Sequence, residues 1–241
     1  MHIDELIEQE KHKHLQKQRH HKRYVLKLTL LILVTVAVAL TAAAVLLLHK
    51  PSDFEQPQAI DDKQVSKYLT HVISQDLYNG AQQGEPFDLV VTEEGIGDII
   101  ARSGWPKQVA EALFAVPEVK FEPDGIQLRG MVNIDTVELF VVIEGTASVN
   151  GQGLLHLEVT RVKIGAVSVT AVAKLVAAAI YGSEATRRNL QEDHWQTKIM
   201  AALLEDEPFE PVFEINDAKV RIQNVKIDTG KITIHFVPEK L

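Results

Sequence analysis

Three residues in the middle of the chain have side chains that could bind a metal ion or transfer a proton: Glu144, His156 and Glu158. Asn150-Gly151 lies between them and is a strong signal for the turn of a β-hairpin, so the two carboxylates could face each other across neighbouring strands. The same three residues alternate with apolar ones, which is typical of the solvated face of a strand. We therefore predict an exposed strand face here and no metal site.

The N-terminal segment offers a second group of possible metal ligands, four histidines interspersed with lysines and arginines. They are His12, His14, His20 and His21. The chain has no cysteine, which excludes disulfides and zinc sites built on thiolates. We predict that this segment is a solvated basic tail that sets membrane topology and contacts anionic lipid.

The motifs that usually mark an enzyme are absent from the sequence. It has no nucleophile elbow, phosphate-binding loop, dinucleotide fingerprint or HExxH pair. His194 beside Trp195 fits a surface or packing residue, and Trp105 before Pro106 fits an anchor at the start of a helix. We predict a protein that is not an enzyme and has no cofactor.

A run of 21 residues without a formal charge, Leu28–Leu48, is long enough for a helix to cross a bilayer. Basic residues precede the run and acids predominate after it, so the positive-inside rule places the N-terminus in the cytoplasm. A cleaved signal peptide is the alternative, with Ala42-Ala43-Ala44 as the small residues. Because the apolar run continues beyond these alanines, an uncleaved signal anchor is favoured.

The charge distribution separates the two ends of the chain. Residues 1–48 carry seven Lys or Arg against four acids, so the net charge of −8 leaves −11 on residues 49–241. An acidic outer segment argues against nucleic acid as a partner, because phosphate binding needs basic residues. The predicted divisions are a basic cytoplasmic tail (1–23), a transmembrane signal-anchor helix (24–48), a linker (49–64) and an extracytoplasmic α+β domain (65–241).

The first part of the outer domain reads as mixed helix and strand. We predict a helix over Val65–Tyr78, with breaks at Asn79-Gly80 and Gln82-Gln83-Gly84, and then a strand over Phe87–Val91. Thr92 is a good N-cap for the next helix. Pro106 predicts the start of a second short helix, Lys107–Phe114.

From Val119 onward the apolar residues alternate, which predicts antiparallel strands with one apolar face each. The phase of the alternation shifts near Arg161, which predicts a β-bulge. Val169–Tyr181 has only one charged residue and predicts a helix buried on all sides. An amphipathic helix over about Glu184–Leu204 follows, then a long hairpin whose first strand is Val212–Ile227. The predicted fold is α+β, a curved antiparallel sheet wrapped around the long apolar helix.

The order of these segments resembles the YpmS-like membrane-anchored proteins of bacteria. It is also similar, more distantly, to the mycobacterial mannan-maturation family with its tubular, lipid-binding-like fold. The segments that carry the resemblance are FDLVVTEEGIGDII, VKFEPDGIQLRG, VTRVKIGAVSVTAVAKLVAAAI and RIQNVKIDTGKITIHF. The resemblance covers most of residues 65–237 and is closest from Ile164-Gly165 through Ile180. It implies binding of lipid or another apolar ligand at the outer membrane surface, without catalysis.

We therefore predict a membrane-tethered domain that binds lipid or another apolar ligand in a groove between sheet and helix. Its location is the inner or plasma membrane, as a single-pass protein. The predicted groove-lining residues are Leu128, Val132, Leu139, Val141, Leu157, Leu175 and Ile180. The alternative is a tethered structural or interaction module that contacts another cell-envelope protein. The default for so much apolar sequence is a closed core, and a groove would leave part of that face available to a ligand.

Overall fold

A computed structural model describes residues 27–60, 64–109, 111–123, 125–178 and 195–239. The chain divides into two compact units, Met1–Leu46 and Leu47–Leu241. Each is described by itself below.

The first unit contains helix α1, Lys27–Leu47, which is long and apolar enough to cross a membrane. A membrane anchor and a signal sequence both have this character. The hydroxyls of Thr35 and Thr41 donate to the carbonyls of Leu31 and Ala37, one turn back. These two hydroxyls are therefore satisfied within the helix, as an apolar environment requires.

The second unit is α+β, as predicted, and its antiparallel strands form two sheets where one curved sheet was expected. Its described helices are α2 (Ser74–Gln83, preceded by a π-helical turn, Leu69–Ile73), α3 (Glu93–Ala101), α4 (170–178) and α5 (Trp195–Glu205). The strands are β1 (Phe87–Thr92), β2 (Lys107–Val109), β3 (Ala112–Phe114), β4 (Glu118–Glu122), β5 (Gly125–Ile134), β6 (Val137–Val149), β7 (Leu155–Ile164), β8 (Val167–Ser168), β9 (Val212–Ile215), β10 (Ala218–Asp228) and β11 (Lys231–Pro238). The small sheet has the order β1-β11-β10-β9. The large sheet has the order β2-β3-β5-β6-β7-β8, with β4 also paired to β5.

The large sheet is built on the long hairpin of β6 and β7. The Asn150 side chain accepts hydrogen bonds from the backbone N–H groups of Gln152 and Leu154, which fixes the turn. Glu144 pairs with Arg161, but the next residue of β6 pairs with Val159. One residue of β7 is therefore unpaired, and the predicted bulge near Arg161 is confirmed.

The entry to the small sheet matches its predicted N-cap but not its predicted break. Thr92 accepts a hydrogen bond from the N–H of Gly95 at 3.1 Å and begins α3. The helix continues through the first predicted break, Asn79-Gly80, and ends at the second, where Gly84 is a left-handed C-cap after Gln83. A glycine is needed within α2 because the Phe87 ring occupies the place of a Cβ at position 80. Asn79-Gly80 therefore marks a place where packing requires a glycine, and not a break in the helix.

Residues 107–109 and 112–114 form strands, so the short helix predicted over Lys107–Phe114 is wrong. Lys107 and Val109 pair with Phe114 and Ala112, and β3 pairs in turn with the end of β5. This pairing satisfies backbone groups through a distant strand that local sequence does not reveal. Tertiary contact has overridden the local helix signal.

The strand predicted over Val212–Ile227 is divided into β9 and β10. Asn216 and Asp217 both have positive φ and make the turn between them. Two consecutive positive φ values match the tight hairpin turn that Asn and Asp tolerate best. The last strand, β11, follows the predicted turn at Gly230 and pairs with both β10 and β1.

The main core lies where the two sheets face each other. Its buried members include Phe121, Leu155, Val220, Ile222 and Phe236. The predicted helix enclosed by the sheet is not seen in the described residues. Along α4 the side chains of Val172, Leu175 and Val176 are exposed, so the expectation of burial on all sides is wrong for 170–178.

The first half of the predicted linker packs on the outer domain. Phe54 is buried against Phe140, with ring centroids 4.8 Å apart, on the face of the large sheet opposite the main core. Asp53 forms an ion pair with Arg129 at 3.0 Å. The hydrogen bond from Arg129 holds the pKa of Asp53 below its ordinary value, because it favours the ionised carboxylate.

Candidate functional site

Five of the predicted groove residues lie on one face of the large sheet. Opposed residues of an antiparallel pair place their side chains on the same face, and the register opposes Val132 to Leu139 and Gly130 to Val141. By the same rule Leu128 lies opposite Ile143, and Leu157 lies opposite Ala147. Because strand residues alternate, all these positions share the face that also contributes to the main core.

The other two predicted residues are not placed with them. Leu175 of α4 is 75% exposed and turned away from the sheet. Ile180 lies outside the described residues.

A cleft of about 500 Å³ opens over the middle of this apolar face. Its floor is formed by three adjacent strands of the large sheet. The floor residues with side chains on this face are Ile126, Leu128, Ile143, Ala147, Leu157, Val159 and Val162. A volume of this size is within the range of small-molecule and lipid-type sites.

The walls of the cleft come from two helices. Ala173, Lys174 and Ala177 line it from α4, and Met200, Leu203 and Leu204 line it from α5. Ala173 and Ala177 are four residues apart, so they lie on the same side of α4 and place its smallest side chains towards the sheet. The short alanine side chains leave the space that larger residues would fill.

Gly145 contributes to the depth of the cleft at the bulge between β6 and β7. It lines the cleft without a side chain. A Cβ at this position would lie 2.8 Å from the carbonyl oxygen of Glu158. The two strands approach too closely there for any larger residue, so the irregular pairing at the bulge requires a glycine at position 145.

A smaller cavity of about 160 Å³ continues along the same face of the sheet. It shares Leu128 and Ile143 with the large cleft and also contacts the predicted residues Val132 and Val141. Trp105 and Phe114 line it from outside β5. Four predicted residues, Leu128, Val132, Val141 and Leu157, therefore line one or other of two adjoining apolar spaces.

Almost all of the surface inside the cleft is apolar. Thr146 and Glu158 contribute to its wall, but they oppose each other in register and alternate with the floor residues, so their side chains point to the other face of the sheet. Among the described residues that line the cleft, Lys174 is therefore the one with a charged side chain on the cleft side of the sheet. Its ammonium group bonds to both carboxylate oxygens of Asp206, at 3.0 and 3.1 Å.

The opposite face of the large sheet carries the three residues that were considered for metal binding or proton transfer, Glu144, His156 and Glu158. Glu144 forms ion pairs with Lys163 at 2.7 Å and Arg161 at 3.5 Å. His156 and Glu158 lie opposite Ser148 and Thr146. Within the ranges that the structure describes, no three His, Asp or Glu side chains are grouped so as to hold a metal ion.

Sequence reasoning missed the helical walls of the cleft. It assigned Leu175 to the groove because a helix buried on all sides was expected, whereas the lining side of α4 is Ala173 and Ala177. The spacing of small residues gave no usable signal, because Ala171 and Ala178 of the same helix are exposed. Met200 carried no signal either, because only the position of α5 brings it to the cleft.

Comparison with known proteins adds no assignment. No family model matches the sequence, and no curated protein matches it at a significant level.

Proposed function

We propose that this chain is a membrane-tethered protein whose outer domain binds lipid or another apolar ligand, without catalysis. The observation that carries the proposal is the cleft of about 500 Å³ between the large sheet and helices α4 and α5. Its lining is apolar, and each methylene transferred from water to such a lining contributes about 0.8 kcal/mol. Shape and burial are then sufficient for affinity, and the cleft needs few polar groups.

The proposal includes a membrane orientation. Helix α1 spans the inner or plasma membrane as an uncleaved anchor, with the basic residues before it in the cytoplasm and Leu47–Leu241 outside. The large sheet forms the floor of the binding site, and α4 and α5 form its walls. Binding of lipid or another apolar ligand at the outer membrane surface is what the resemblance to the YpmS-like and mannan-maturation families implies.

Photo-crosslinking of the full chain in lipid nanodiscs tests the proposal. The probe is palmitic acid with a diazirine near the end of its chain, and the labelled residues are mapped by mass spectrometry. We expect labels on residues that line the cleft, such as Ile143, Leu157 and Met200. Labels confined to α1 and to the exposed side of α4 would contradict the proposal.

A matched pair of variants controls the crosslinking. Ala173 lines the cleft and Ala171 is exposed on the same helix. Ala173→Trp should fill part of the cleft and reduce labelling of its floor. Ala171→Trp should leave this labelling unchanged, because it adds the same side chain outside the cleft.

The second candidate function is a tethered interaction module that contacts another envelope protein. The observation that favours it is the exposed apolar side of α4, formed by Val172, Leu175 and Val176. A photoreactive amino acid at position 175 in the cell membrane would test it. A crosslink to one defined protein, lost when Val172 and Val176 are replaced by Ser, would support this function.

A further inference from the structure

Among the residues that the structure describes around the cleft, Lys174 is the one cation, and it is held by a partner that is more exposed than itself. The Lys174 side chain is 26% exposed, and that of Asp206 is 47% exposed. Asp206 lies just beyond the end of α5, so the ion pair joins the two helices that wall the cleft. An ion pair with this exposure contributes little to stability.

The position of Lys174 suits ligand binding as well as a link between two helices. Lys174 is one of the residues that line the cleft, and its ammonium group is bonded to Asp206, which is partly exposed to solvent. A lysine stem can pack on apolar surface while its ammonium group stays in water. A ligand with an apolar chain and an anionic end would place its charge beside this ammonium group. Elsewhere the outer domain is acidic, with a net charge of −11 over residues 49–241, so a local cation is needed to hold an anion.

We propose that the ligand is an anionic amphiphile, whose carboxylate or phosphate oxygen replaces Asp206 on the Nζ atom of Lys174. Its chain lies on the floor that includes Leu128 and Leu157. This inference rests on the proposed function and specifies the class of ligand. Asp206 is then the occupant of the head-group position when no ligand is bound, and it competes with the ligand for Lys174.

The exchange conserves the number of ion pairs at Lys174. The incoming anion gains a charge-assisted hydrogen bond, and Asp206 returns to solvent, where an exposed carboxylate is readily hydrated. A neutral amphiphile with the same chain cannot displace Asp206, so it binds through its chain alone. The ion pair at Lys174 thus predicts a preference for charge that an entirely apolar cleft would lack.

The experiment compares charged and neutral probes with the full chain in nanodiscs of phosphatidylcholine. One pair is diazirine palmitic acid and its methyl ester, and the other is diazirine phosphatidic acid and the matching diacylglycerol. The yield of crosslinks on cleft residues is measured against probe concentration. The pair that shows the preference for charge identifies whether the head group is a fatty-acid carboxylate or a lipid phosphate.

We expect the charged member of one pair to reach half-saturation at a roughly threefold lower concentration than its neutral partner, because an exposed ion pair adds only modest affinity. Lys174→Gln should abolish this difference, and Lys174→Arg should retain most of it. Asp206→Asn should tighten binding of the charged probe by several-fold and leave the neutral probe unchanged. Unchanged labelling by the neutral probe shows that each variant keeps the cleft intact.

The outcomes separate the two proposals. Equal labelling of the cleft by charged and neutral probes would overturn the inference about the head group while leaving the proposed function in place. A preference for charge that survives Lys174→Gln would also overturn it. Failure of every probe to label the cleft would overturn the proposed function itself.

Discussion

The two parts of the apolar face of the large sheet have the same alternating pattern and different covers. Near the β6–β7 turn, Leu155 is 6% exposed and packs in one cluster with Val220 of the small sheet, which is fully buried. In another part of the same face, Leu128 of β5 and Ile143 of β6 line the cleft that α4 and α5 wall. One part is closed by a second sheet, and the other is left open by two helices.

The difference lies in the covering elements. The small sheet presents large side chains, including Ile222 and Phe236, which pack against the large sheet in the main core. Helix α4 presents Ala173 and Ala177, which are too short to fill the space above the floor of the cleft. The alternation of a strand thus predicts which face is apolar, whereas the size of the residues opposite it decides whether that face becomes a core or a site.

The largest effect is expected from truncation at the closed part. Leu155→Ala should lower the free energy of unfolding by about 2–5 kcal/mol, because it removes contacts on all sides of a packed side chain and leaves a cavity. Urea unfolding of the full chain in nanodiscs, followed by pulse proteolysis, measures the change.

The same substitution at the open part is the control for this prediction. Leu128→Ala should cost less than about 2 kcal/mol, since one side of Leu128 already borders empty space and loses few contacts. Equal costs at the two positions would show that the cleft is closed in solution and would break the comparison.

Substitution of Gly145 tests the boundary between the two parts. Gly145→Ala should destabilise the domain by about 1–3 kcal/mol, because its Cβ would meet the backbone oxygen of Glu158 rather than a movable side chain. The shift in the urea midpoint measures this. Gly151→Ala provides the control, since a Cβ at Gly151 would meet open space; similar shifts for both would contradict the tight approach of β6 and β7.

The smallest effect is expected outside both parts. Leu175→Glu should change the free energy of unfolding by no more than about 0.5 kcal/mol, because Leu175 is exposed on the far side of α4. The same urea experiment measures it. A loss of several kcal/mol would mean that this side of α4 is covered in solution, as the helix buried on all sides was expected to be.

The sequence predicted those elements whose signals are local. Thr92 predicted a cap, Asn150 a turn and Arg161 the neighbourhood of a bulge, because each acts through hydrogen bonds or alternation within a few residues. The predictions were wrong for elements that depend on a distant partner. Residues 107–109 and 112–114 form strands that depend on pairing with β5, and Gly80 lies within α2 where the Phe87 ring leaves no room for a Cβ.

The candidate site likewise has a part that local signals predicted and a part that they did not. Alternation placed Leu128, Val132, Val141 and Leu157 on one face, and the register confirms that they share it. The helical wall could not be deduced from periodicity, since α4 is apolar on more than one side and only its packing shows which side is inward. Whether these residues bind a ligand stays a prediction.

The central claim is that the open part of the face accepts an apolar chain, and one measurement tests it most directly. Binding of diazirine palmitic acid at the cleft is compared between Ala177→Trp and Ala178→Trp in the full chain in nanodiscs. Ala177 lines the cleft, and Ala178, the next residue of α4, is exposed. The account predicts that Ala177→Trp loses most labelling of the floor while Ala178→Trp keeps it. Equal labelling in both variants would contradict the claim.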